Sequence, residues 1–157
     1  MVAERLGVPC IELDAHHHGP NWRAASAEEL RASVSAVLDD SRGWVVDGNY
    51  EAKLGDLILD RAELIVWLDL PLLTKLRRLV HRTWRRWSRS EELWNGNRET
   101  LLHTVWGAES LFWWMLRSHV RQRRNLPRKL ASRRYVRLRS VEEVAAWLAA
   151  LPQGVAP

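Results

Sequence analysis

The stretch Gly43–Tyr50 reads GWVVDGNY. Trp44, Val45 and Val46 run straight into Asp-Gly-Asn-Tyr. A short apolar run closed by turn residues reads as a strand buried on both faces, the kind found in parallel sheets. Asp47 then stands at its carboxyl end, where open α/β sheets place their chemistry. A carboxylate there meets a metal, a phosphate or a basic group, or it only turns the chain with Gly48.

Working outward, the same pattern recurs. Upstream, Ala3 to Leu6 suit a helix that Gly7 stops. Val8 to Leu13 (VPCIEL) form a strand ending at Asp14, and His16 to Asn21 form a loop. Ser26 is a predicted N-cap. Glu29, three residues on, completes a capping box for a helix to about Asp40 with Leu30, Val34 and Leu38 on one face. Downstream, Glu51 to Asp60 is a short helical link, and Ala62 to Leu70 (AELIVWLDL) is the clearest buried strand, ended by Pro71. Leu72 to Ser88 is an Arg-rich helix, Ser90 to Asn97 a polar break, and Glu99 to Arg124 a second helix that Pro127 interrupts. Tyr135 to Leu138 is the last strand, and Ser140 caps a final helix. Strands alternating with helices predict an α/β fold, a parallel sheet with helices on both faces. The expected organisation is one domain over 1–151, with a helical insert at about 72–126 and a loose tail at 152–157.

Composition narrows the function classes. The chain has 157 residues, 46% of them hydrophobic, enough for a real core. One cysteine, Cys10, allows no internal disulfide and fits a reducing cytoplasm. No apolar run approaches the ~20 residues of a membrane span, so a cytoplasmic protein without membrane contact is expected. The net charge of +5 hides a split. Residues 1–69 hold six Lys and Arg against thirteen Asp and Glu, whereas residues 70–157 hold eighteen against six. No acidic residue lies between Ser110 and Val141, and most of the ten tryptophans gather in this basic half. Such a half meets an anion or forms a solvated basic face.

Several runs together resemble a known family: LGVPCIELD (Leu6–Asp14), His18 to Trp22, GWVVDGNY, IVWLDLP (Ile65–Pro71), RRLVHRTWRRW (Arg77–Trp87) and LWNGNRE (Leu93–Glu99). They look like the adenylate-kinase-like P-loop proteins, in particular the DNA topology modulation (FlaR-like) group. The resemblance implies a five-stranded parallel sheet in the order 2-3-1-4-5 with an Arg-rich lid. It also implies ATP and Mg²⁺ as cofactors, and phosphoryl transfer to a small acceptor. The family begins with a strand and a G-x-x-x-x-G-K-[ST] loop. This chain starts inside the helix that follows them, and none of Lys53, Lys75 and Lys129 follows a glycine. The chain as written is therefore expected to be inactive alone.

The resemblance assigns roles residue by residue. Asp47 would hold Mg²⁺ through water, since hard cations take oxygen ligands and keep waters. Asp14 and His17 would border the acceptor, together with Asn49 and Tyr50, which replace the Phe-Pro-Arg of true adenylate kinases and so argue against AMP. Arg82, Arg86 and Arg98 would bind ATP phosphates and stabilise transferred charge, followed by Arg117 and Arg121 on the next helix. His16, His17 and His18 do not make a zinc site, because adjacent residues cannot all face one metal. Trp84, Trp87, Trp113 and Trp114 read as packing for these helices. Two other readings stand beside the kinase: a basic, Trp-rich nucleic-acid-binding module over Leu70–Arg139, and a non-functional remnant lacking its central strand.

Overall fold

A computed structural model describes residues 2–40, 43–88, 94–96 and 111–152. The elements run α1 (Val2–Leu6), β1 (Cys10–Glu12), α2 (Leu13–His17), α3 (Ala27–Asp40), β2 (Val45–Asp47), α4 (Glu51–Leu54), α5 (Leu57–Arg61), β3 (Ile65–Leu68), α6 (Leu72–Ser88), α7 (Leu111–Lys129), β4 (Tyr135–Leu138) and α8 (Val141–Ala150), with 3-10 turns at Pro20–Trp22 and Trp94–Gly96. The chain divides into two compact units, one of residues 1–62, 94–97 and 145–157, the other of residues 63–93 and 98–144.

The first unit is built around a two-stranded parallel sheet. β1 pairs with β2 in the register Cys10–Val45, Ile11–Val46 and Glu12–Asp47. Its core is Ile11, Leu13, Leu30, Val34, Leu38 and Leu54. Leu30, Val34 and Leu38 recur at four-residue spacing, so they form one buried stripe on α3. The predicted capping box is present: the Glu29 amide donates to Ser26 Oγ at 3.0 Å, and the Ser26 amide donates to Glu29 Oε2 at 2.8 Å. Gly48 takes φ +129°, and a Cβ there would come within 2.9 Å of Leu13 Cβ. Only glycine therefore allows the turn after β2 to pass so close to the first residue of α2.

In the second unit β3 pairs in parallel with β4, from Ile65–Tyr135 to Leu68–Leu138. Trp67, Leu70, Leu130 and Leu138 are buried. Pro127 lies inside α7, which continues to Lys129. The interruption expected there does not occur.

The expected sheet, the family order 2-3-1-4-5 without its absent strand 1, is not formed as a single sheet. Among the described residues there are two separate two-stranded sheets, β1-β2 and β3-β4. A continuous sheet requires inner strands that bond along both edges, and each of these strands is laddered along one. Local readings shift as well. β2 is not buried on both faces, for Val45 and Val46 are half-buried and Asp47 is exposed. Asp14 and His16 lie in α2 rather than at a strand end and in a loop. No helix among the described residues is long and apolar enough to cross a membrane.

Candidate functional site

In the first unit three of the expected site residues meet. The α2 turn that follows β1 carries Asp14 and His17, and the turn after β2 brings Tyr50 to them. The Tyr50 hydroxyl donates to Asp14 Oδ1 at 2.6 Å. Burial, with this bond and the Asp14 charge, pushes the Tyr50 phenol well up. The His17 ring lies 4.7 Å from the Tyr50 ring and 4.7 Å from that of His18. His17 is 8% exposed, and its Nδ1 has no hydrogen-bond partner among the described residues. Burial, then the charges of Lys53 and His18, lower its pKa against the opposing pull of Asp14. Lys53 is held by donating its Nζ proton to the Ala25 carbonyl. Asn95, which takes the left-handed φ of 57°, donates from Nδ2 to the carbonyls of His18 at 2.6 Å and Ala15 at 3.3 Å. These contacts are short, mutual and internal, and they hold α2 in place. Asp47 and Asn49 stand exposed, outside the cluster. Among the described residues no group of three His, Cys, Asp or Glu could hold a metal ion.

The second unit carries the charge. Asp69, 1% exposed, is fixed after β3 by its amide, which donates to the Leu138 carbonyl at 2.8 Å. Its carboxylate accepts from Arg123 Nε at 2.7 Å and from Arg137 Nε at 3.0 Å and Nη2 at 2.6 Å. Burial alone would raise its pKa, but the bonds and charges of the two guanidiniums outweigh it and hold the carboxyl below its usual range. Arg137 also lies over the Trp67 ring at 4.2 Å. Beside them Lys75 Nζ is 3.3 Å from His119 Nδ1. Burial lowers the pKa of both, and the Arg123 charge adds to it. Sequence reasoning singled out none of these five. The available signal was Asp69 itself, a carboxylate at the end of an apolar strand.

Cations line both helices of this unit, most of them exposed. α6 carries Lys75, Arg77, Arg78, Arg82, Arg85 and Arg86, and α7 carries Arg117, Arg121, Arg123, Arg124, Arg128 and Lys129; neither holds a carboxylate. Indoles stand among them. Trp84 is 62% exposed, Trp87 47%, Trp113 52% and Trp114 54%. Trp84 and Trp87, three residues apart on α6, have ring centroids 5.3 Å apart. About half of each indole stays in water, more than packing alone would leave. Along α7 an open groove of about 580 Å³ is lined by Trp113, Leu116, Arg117, Val120, Arg121, Arg124 and Asn125. Of the expected phosphate-binding residues, Arg82, Arg117 and Arg121 are exposed and Arg86 is half-buried, while Arg98 lies outside the described residues.

No family model, no curated protein and no solved structure matches the chain. With two separate sheets among the described residues and no match to a family model, the assignment to the adenylate-kinase-like P-loop proteins is overturned. The reading as an ATP-binding, phosphoryl-transferring kinase falls with it.

Proposed function

We propose that the chain is a nucleic-acid-binding module whose contact surface is formed by α6 and α7. One observation carries this reading: four half-exposed indoles stand among arginines on two helices that contain no carboxylate. Guanidinium groups neutralise phosphates and release the counterions condensed on them, which supplies affinity without reading sequence. Indoles add a flat face on which a base stacks. An exposed tryptophan is costly to leave in water, so a surface that keeps four of them beside cations suits a partner that is both anionic and aromatic. Nucleic acid is both.

The test is fluorescence anisotropy of a labelled oligonucleotide titrated with the whole chain at a series of salt concentrations. If about four arginines engage phosphates, log K falls against log salt with a slope of about −3. No binding at about 50 mM salt, or binding indifferent to salt, would overturn the proposal.

A further inference from the structure

The α7 groove points to the form of nucleic acid this surface takes. We infer that the ligand is single-stranded, and that it runs along α7 with its phosphates on Arg117, Arg121 and Arg124 and a base stacked on Trp113. The inference rests on the nucleic-acid reading above and narrows it.

Three features of the groove carry it. The first is the kind of surface offered. In a duplex the faces of the bases are stacked on one another, and only their edges are open in the grooves. An indole can stack on a base only where that base is unpaired, or where the duplex is prised apart at a cost of a few kcal/mol per step. Trp113 lies at the head of the groove, 52% exposed.

The second is the row of charges. Trp113, Arg117, Arg121 and Arg124 follow one another at intervals of four, four and three residues, so they share one face of α7. At 1.5 Å per residue the row is about 16 Å long, with its arginines stepping about 6 and then about 4.5 Å along the axis. A row of regularly spaced cations beside a stacking platform suits one backbone with bases beside it, over about four nucleotides, the short end of single-strand footprints.

The third is the floor. Between the arginines the groove is lined by Leu116 and Val120, with Asn125 at its far end. Leu116 and Val120 offer apolar contact to base and sugar and read no base edge. All seven lining residues belong to α7, so the groove is an open trough along one helix, a surface on which a flexible strand can lie.

The experiment compares a labelled oligothymidylate with its duplex with oligoadenylate, at one salt concentration, on the whole chain and on the exposed-site variants Trp113→Ala, Trp113→Phe and Arg121→Gln. A salt series on the whole chain and on Arg121→Gln adds the slope. Circular dichroism verifies that each variant is folded. The single strand is expected to bind at least about 10-fold more tightly than the duplex. Trp113→Ala should weaken single-strand binding by about 5- to 100-fold while leaving duplex binding unchanged, as expected for one lost base stack. Trp113→Phe, which keeps a ring, should recover most of the loss. Arg121→Gln should make the salt slope shallower by about one unit. Equal or tighter binding of the duplex would overturn the single-strand inference and leave the nucleic-acid reading standing. An unchanged affinity in a folded Trp113→Ala variant would overturn the placement of the base. Failure to bind either form would overturn the nucleic-acid reading itself, and this inference with it.

Discussion

Replacing Asp69 by asparagine should be among the most damaging single changes in the second unit. The carboxylate is 1% exposed and accepts three hydrogen bonds from two guanidiniums, at 2.7, 3.0 and 2.6 Å. Bonds to charged groups contribute about 1.5–3 kcal/mol each, which sets an upper bound well above the real loss. The side chains of Arg123 and Arg137 are 47% and 30% exposed, so both recover water once released. Asparagine also keeps one acceptor oxygen. The net loss is therefore about 2–3 kcal/mol, below the 3–5 typical of breaking a fully buried pair. With a urea dependence of about 1–3 kcal/mol/M, the midpoint followed by circular dichroism should fall by about 0.7–3 M. A double-mutant cycle with Arg137→Met, which keeps an apolar stem near Trp67, should give a coupling of about 1–2 kcal/mol. The pH dependence carries the same sign. Because the folded carboxyl is held below its usual value, its contribution is present above about pH 4 and is lost as the pH falls through the folded pKa. Asp69→Asn should remove that part of the acid slope. A midpoint shift below about 0.3 M, or strictly additive single variants, would refute the assignment of Asp69 as the anchor of β3, β4 and α7.

Two further outcomes are expected in the first unit. Gly48→Ala places a Cβ at φ +129° and 2.9 Å from Leu13 Cβ, so it should destabilise by about 1–3 kcal/mol in urea titrations, and a neutral result would mean that the turn after β2 relaxes freely. Burial holds the His17 pKa below its usual value of about 6.5, so folding stability should decline as the pH falls from about 6.5 through the folded pKa, and His17→Asn should flatten that decline; an unchanged profile would show that His17 does not carry it.

The candidate sites differ in how far the sequence announces them. The basic, tryptophan-rich half is legible in composition alone, because charge and residue type survive any arrangement of the backbone. The meeting of Asp14, His17 and Tyr50 is foreshadowed only as positions near strand ends. Their actual contact depends on α2 forming directly after β1, where a loop is expected. Asp69 with Arg123 and Arg137 spans separations of 54 and 68 residues, and no local pattern marks such partners. Several of the motifs that suggest a P-loop kinase are short runs of strand and turn, and runs of that kind arise wherever a parallel strand ends.

Local chemistry decided much of the secondary structure. The capping box at Ser26 and Glu29, the apolar stripe of α3, the α6 span from Leu72 to Ser88 and the β4 strand from Tyr135 to Leu138 follow from side chains within a few residues of one another. Such effects act through rotamers, caps and periodicity, which the order of residues contains in full. Strand pairing was decided elsewhere. That β1 ladders with β2 and β3 with β4, in two sheets and not one, depends on which backbone edges come together in three dimensions. An apolar run of three or four residues reads the same whether it gains one neighbour or two. The exposure of Trp84, Trp87, Trp113 and Trp114 belongs to the same class, since an indole on an amphipathic helix is core or contact surface according to what packs against it.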